Sequence, residues 1–246
     1  MFCHQCQETM KNTGCNMKQG MCGKSAEVSD LQDLFIWGLK GISVWGVKDK
    51  GVGIYDDQVG FFVAKGLFAT ITNANFDRED FIRDINRAVA IREDVKGQFL
   101  AAYKQKNNSD FSAKVPECAT WVPGNDQDLL AKAASGAGGW LEITNEDERS
   151  LKALTLYGLK GMSAYAEHAY QITKSCREIF EYLMEALDAM ADDTKSQDEL
   201  FNLVIKTGQM GVKTMALLDA ANTQGYGTPE ITQVNIGVGK NPGILV

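Results

Sequence analysis

WGLKGISVW at residues 37–45 returns 120 residues later as YGLKGMSAY at 157–165. In both copies two glycines stand three apart, aromatic residues flank them in phase, and two leucines precede them: Leu31 and Leu34 in the first, Leu151 and Leu154 in the second. Apolar residues recurring at steps of three and four mark a helix with one buried face. A glycine inside a helix costs about 1 kcal/mol relative to alanine. A glycine pair kept in both copies therefore predicts a close approach of another element. Each copy opens a run of about three helical segments. The expected fold is mainly α: two duplicated three-helix bundles, about 25–107 and 145–221, packed together.

Working outward, the helices are expected at Ser25–Lys50, Asp56 to about Ile71, Asp77 to about Asn107, a short one at 126–134, Asn145 to about Ala169, Ser175–Ala191 and Ser196 to about Ala221. Ser25 and Asp77 are the kinds of residue that cap helix starts, and acids follow in several first turns. Prolines occur only at Pro116, Pro123, Pro229 and Pro242, which leaves long stretches free to run as uninterrupted helix. TNAN (72–75) reads as a turn, 108–125 as a loop, and SGAGG (135–139) as the boundary between the two bundles. Gly208 and Gly211 predict a kink or a close contact in the last helix. From Thr228 the pattern changes. β-branched residues recur at Ile231, Thr232, Val234, Ile236 and Val238, and a KNPG turn follows, which reads as a strand and the start of another.

The first twenty-four residues, MFCHQCQETMKNTGCNMKQGMCGK, hold four of the six cysteines: Cys3, Cys6, Cys15 and Cys22. Glycines lie beside or close before the last two. Four thiols in so short a stretch suit one tetrahedral set of thiolate ligands, and glycines allow tight turns and close N–H approach to sulfur. Sulfur donors select zinc, copper(I) or an iron–sulfur cluster. A zinc ribbon usually shows two Cys-x-x-Cys knuckles, whereas here the second pair is Cys-x6-Cys. A redox dithiol leaves two cysteines without a role. Disulfides need an oxidising compartment that nothing here indicates. The spacing favours a cluster, with structural zinc as the alternative.

Composition narrows the classes further. Hydrophobic residues make up 44% of the chain, enough for a substantial core. The formal net charge is −7 and no basic block occurs, which points away from nucleic acid and anionic membrane surfaces. No apolar run has transmembrane length, and the polar, cysteine-bearing start is unlike a signal peptide. The expected location is cytoplasmic, where thiols stay reduced and can hold a metal.

The motifs FCHQCQET, TGC, QGMCGK, LQDL, GLFATITNAN (66–75), NEDERSL (145–151), GLKGMSAYAEHA (158–169), MALLDAANT (215–223) and PEITQVNIGVGKNPGIL (229–245) together resemble the hybrid cluster protein family, also known as prismane protein or hydroxylamine reductase. The likeness covers most of the chain. It implies that Cys3, Cys6, Cys15 and Cys22 bind the first of two iron–sulfur centres. The eight-residue middle gap is like members with a 4Fe–4S cluster; the six-residue last gap is like members with 2Fe–2S, and 4Fe–4S is favoured.

The resemblance further implies a helical domain over 1–227, followed at 228–246 by the start of an incomplete α/β domain. Substrate chemistry in the family belongs to a second, hybrid iron–sulfur–oxygen cluster, whose ligands are expected beyond residue 246. The implied parent activity is a cytosolic oxidoreductase converting hydroxylamine to ammonia, with nitric oxide reduction also attributed to the family. This chain is then the electron-input portion, supplied by an electron-donor protein and expected not to reduce hydroxylamine alone. A non-catalytic iron–sulfur interaction module is the alternative from another class.

Other reactive residues read more simply as structure. Cys118 and Cys176 are isolated and most simply small buried hydrophobes. His168, next to Glu167, and His4, next to a candidate ligand, carry no motif of their own. Gly237-x-Gly239 is a fragment of a phosphate-loop pattern. Lys11, Lys18 and Lys24 read as solvated surface lysines, with a role in balancing thiolate charge as the alternative. Phe35, Trp37, Trp45 and Phe68 are candidate core residues.

Overall fold

Each expected helix forms, and all but the one that follows Cys176 start on a side chain that caps them. A computed structural model describes residues 1–6, 13–71, 74–172, 174–234, 236–237 and 239–243. Ser25 accepts from the Val28 amide and starts α1 (Ala26–Gly51). Asp56 caps α2 (Asp57–Ala69) and Asp77 caps α3 (Arg78–Asn107), each by accepting first-turn amides otherwise left without a partner. Asn125 starts the short α4 (Asp126–Ala134), and Asn145 starts α5 (Glu146–Gln171). α6 (Arg177–Ala191) follows Cys176. α7 (Gln197–Tyr226) opens with a reciprocal capping box between Ser196 and Glu199. Among the described residues, 3-10 turns at Glu117–Ala119 and Trp140–Glu142 lie in the connections.

The chain is mainly α, as the periodicity predicts. α7 runs five residues beyond the expected Ala221, carried through Asn222–Gly225, and ends at Gly227 with φ 82, a left-handed value suited to glycine. Neither Gly208 nor Gly211 breaks it. A Cβ at Gly208 would meet nothing within 4 Å, and one at Gly211 makes only ordinary contact with Met162. The strand expected from Ile231 does not form: among the described residues of the tail there is no β-ladder, and Ile231, Val234 and Ile236 are exposed. A strand needs a neighbouring edge to accept its backbone hydrogen bonds, and a wall of helices offers none. Val238, residues 244–246, Thr72 and Asn73 of the expected turn, and Lys11 fall outside the described residues.

The repeat extends into the packing. α1 lies chiefly along α3 and α6, and α5 lies chiefly along α7 and α2, while α2 and α6 touch each other. Exchanging α1, α2 and α3 for α5, α6 and α7 turns the α1–α3 pairing into α5–α7 and the α1–α6 pairing into α5–α2, and leaves α2–α6 as it is. Gly38 of α1 faces Ala88 of α3, and its counterpart Gly158 of α5 faces Thr207 of α7. The two sets of three are interlocked, because α1 packs more on α6 than on its own α2, and α5 more on α2 than on its own α6. One apolar cluster accordingly runs through both, including Phe35, Leu39, Leu67, Phe81, Leu159, Phe180 and Leu187. Each such side chain, fully removed from water, contributes about 1.5–3 kcal/mol.

SGAGG does not stand clear as a linker. A Cβ at Gly138 would fall 2.7 Å from the Trp37 Cβ and 3.0 Å from the Asp33 carbonyl oxygen, so this segment is pressed onto α1.

Candidate metal centre

The N-terminal loop is folded back on itself by its glycines and by one short antiparallel bridge. Cys3 N donates to Cys15 O at 2.9 Å, and Cys15 N donates to Cys3 O at 2.8 Å. Gly14, just before Cys15, has φ 85; any side chain there would also run into the Phe2 ring, at 2.6 Å. A second turn follows, with Gly23 N donating to Gly20 O and Gly20 N to Lys24 O, both at 2.9 Å. The Cys22 sulfur stands 3.4 Å from where a Gly20 Cβ would be. Glycine is required here for backbone conformation at Gly14 and Gly23 and for space at Gly14.

All four cysteines are free thiols. Cys3 and Cys15 are buried; Cys6 and Cys22 are partly exposed. The bridge places Cys3 and Cys15 on adjacent strands of backbone. Among the described residues, no three His, Cys, Asp or Glu side chains already stand at metal-holding spacing. The donor set still fits a thiolate-bound centre: sulfur only, unpaired, on a glycine-bent loop with one side against protein and one toward solvent.

Beneath the loop lies a buried polar network that ties it to both halves of the fold. Gln5 is its hub: its amide donates to Asp33 of α1, and its carbonyl accepts from Lys160 of α5. Lys160 also donates to Thr70 O at 3.1 Å, at the end of α2. Lys24 is buried and donates to Gln32, which donates to Asn75 O at 3.3 Å. The solvated role expected for Lys24 is thus corrected: its ammonium is an anchor, sequestered because Gln32 accepts from it. Lys18 is exposed, as expected. Tyr157 of α5 donates to His4 O at 2.7 Å and contacts His4 Nδ1, and the two rings stack. Ser29 Oγ donates to Phe2 O at 3.3 Å.

Burial dominates the electrostatics. It pushes the Asp33 carboxyl up to about 7 against the pull of Lys160, and it lowers Lys160 to about 7 against the pull of Asp33. Cys3 and Cys6 act on Lys160 in the raising direction, so negative charge on those sulfurs favours its ammonium form. The Tyr157 hydroxyl is raised by burial, then by Cys6 and Cys3.

The remaining sequence candidates fall elsewhere. Cys118 is buried in the 3-10 turn, its carbonyl accepting from Arg92 at 3.0 Å, and burial raises its thiol to about 11. Cys176 is the residue before α6 rather than within it. His168 is exposed, edge-on to Phe68. Phe35 and Trp45 are core; Trp37 and Phe68 are only partly buried. The residues missed from sequence are Gln5, Asp33, Tyr157 and Lys160. For Asp33, Tyr157 and Lys160 the one signal is polarity at positions on otherwise apolar helix faces; Gln5, in the loop, carries none.

The profile of the Prismane/CO dehydrogenase family matches residues 1–246. The hydroxylamine reductase of Nitratidesulfovibrio vulgaris is 53% identical over the whole chain, and that of Halothermothrix orenii 49%; the matched region is 44% of each relative's length. The hydroxylamine reductase of Natranaerobius thermophilus is 46% identical over the same span. The chain thus covers less than half the length of these relatives.

Proposed function

The chain belongs to the Prismane/CO dehydrogenase family, and on that premise we propose that it is the electron-input portion of a hydroxylamine reductase. The observation that carries this reading is the seating of a four-thiol loop, through Gln5, on a buried network joining α1 and α5. In this reading Cys3, Cys6, Cys15 and Cys22 hold an iron–sulfur cluster, 4Fe–4S in preference to 2Fe–2S. When bound, such a cluster supplies one-electron redox chemistry.

The chain's own residues set the conditions for that chemistry. Lys160 and Lys24 place positive charge under thiolate sulfur, and the buried Gln5 fixes the loop's position. Tyr157 holds the His4 backbone. Gly14 and Gly23 keep the turns tight enough for backbone amides to lie near sulfur. Partly exposed Cys6 and Cys22 face the side from which an electron-donor protein would approach. Met17 and Met21, both exposed beside that face, are side chains suited to a transient protein contact.

The parent reaction is then reduction of hydroxylamine by two electrons and two protons to ammonia and water, with nitric oxide as a further candidate substrate. It takes place at a hybrid cluster to which this chain passes electrons. The cytoplasm is the compartment that suits free thiols and this role; among the described residues no helix is long and apolar enough to cross a membrane. We also read residues 25–107 and 145–221 as duplicated units of one helical domain, 1–227, on the strength of the matched packing.

The test is anaerobic reconstitution of the 246-residue protein with iron and sulfide. The expected result is a brown protein absorbing near ~400 nm, with iron lost when any of the four cysteines becomes serine and kept in Cys118→Ser and Cys176→Ser. Tight binding of zinc with no iron chromophore would establish the structural-zinc reading instead. With a dye donor, reversible reduction without ammonia formation from hydroxylamine is expected; turnover by this chain alone would overturn the relay role.

A further inference from the structure

The seat of the cysteine loop has a twin elsewhere in the molecule, and the twin is a cavity. Through the internal repeat, Tyr157, Lys160 and Gln32, which all hydrogen-bond to the loop or its flank, correspond to Trp37, Lys40 and Lys152. Those three residues line a cavity of about 610 Å³, walled also by Val115, Ile143 and Met190. The polypeptide leading into α5 borders it, just as the cysteine loop leads into α1.

The charges at the two places differ. Lys160 is answered by Gln5 and by Asp33. At the twin position Asp33 is replaced by Ala153, and among the described residues no side chain accepts from Lys40 as Gln5 does from Lys160. Lys152 is already paired, with Glu148 at 2.7 Å and Asp193 at 3.3 Å, and Glu117 at the rim is paired with Lys132. Lys40 forms no hydrogen bond or ion pair among the described residues. Burial lowers its ammonium pKa; Cys118 opposes that, Lys152 adds to it, and Asp33 and Asp193 oppose it more weakly.

We propose that this cavity binds a small organic anion, a carboxylate or sulfonate on a flat apolar body, with the Lys40 ammonium as its counter-charge and Trp37 against its ring. The volume suits a molecule of that kind: the walls are of mixed polarity, Glu117, Glu148 and Asp193 are answered by lysines, Glu142 accepts from the Gly138 amide, and Lys40 is a partly buried cation left without a partner among the described residues. The acceptor oxygen would take the place that Gln5 Oε1 takes on Lys160. A neutral ligand of the same shape would cover the partly buried lysine charge without answering it, so the site discriminates by charge.

The probe pair is 2-naphthoate and its neutral isostere 2-naphthamide, measured by equilibrium dialysis against the 246-residue chain without added iron, so that the outcome is independent of any cluster. Saturable binding of naphthoate at one site is expected, weakened about tenfold or more by Lys40→Gln and retained by Lys40→Arg. Naphthamide should bind more weakly and change less than about twofold in Lys40→Gln. Lys114→Gln, at the rim, should leave both near wild type. Absence of saturable naphthoate binding, an unaffected Lys40→Gln, or equal losses for both probes would overturn the proposal. Helical circular dichroism and melting of each variant separate lost binding from lost folding.

Discussion

The backbone of Cys118 presses directly on Gly41: a methyl group built on that glycine would overlap the Cys118 carbonyl oxygen and stand 2.8 Å from its carbon. The turn is held there by Arg92, fully buried, which donates to the same carbonyl, and by Trp45, whose indole donates to Ala119 O at 2.8 Å. In the second copy the equivalent glycine, Gly161, has nothing within 4 Å.

Gly41→Ala is therefore expected to destabilise by about 3 kcal/mol, since rigid backbone must move. Gly161→Ala should be neutral or stabilise by up to about 1 kcal/mol, through helix propensity alone. Thermal unfolding of the two variants checks the contrast. Equal effects would show that the repeat, rather than the turn, sets the need for glycine.

Gly158 has a different neighbour. A Cβ there would lie 2.5 Å from Thr207 Cγ2, while the Thr207 hydroxyl is held by Tyr182 at 2.7 Å and by Leu203 O at 2.8 Å. Gly158→Ala should cost about 1–3 kcal/mol. Thr207→Ser removes the clashing methyl and keeps the hydroxyl bonds, so Gly158→Ala with Thr207→Ser should recover most of that loss. A double-mutant cycle by urea unfolding measures it; an additive cycle would refute the contact.

Asp49 is buried near the end of α1, and its Oδ1 has no hydrogen-bond partner among the described residues. Burial pushes its carboxyl up to about 6. A folded-state pKa above the unfolded one favours the protonated form. The associated stability is complete below about pH 4 and is lost as pH rises through about 6. Asp49→Asn should thus stabilise by about 1–3 kcal/mol at pH 7 to 8 and little at pH 4. Melting temperature against pH tests this, and an Asn variant with an unchanged pH slope would contradict it.

Lys160 joins the cysteine loop to α2 and α5 by donating to Gln5 and Thr70 O. Lys160→Met should leave the helical spectrum intact and destabilise by about 1–3 kcal/mol, because two buried acceptors lose their donor. It should also loosen the loop, seen as faster proteolysis before Ser25. Unchanged protection of the loop would remove Lys160 from the anchoring role.

The mainly-α fold and the positions of the helices are legible in the residues alone, because capping residues and three-to-four periodicity are local signals. The family and the four candidate sulfur ligands are legible there too, because these lie in contiguous motifs. How the two repeats meet is a matter of long-range packing. From residues alone they read as neighbouring bundles; in the fold they interlock, since α1 finds its apolar partner in α6 and α5 finds its own in α2. Only the structure, likewise, revealed that Lys24 is buried, that Gln5 is the hub under the loop, and that GLKG serves close packing at Gly41 but not at Gly161. The expected strand from Ile231 did not form, because β propensity is realised only against another edge. Helical order is encoded within a turn or two of chain, whereas burial of a lysine or the crowding of a glycine depends on what residues a hundred positions away bring against it.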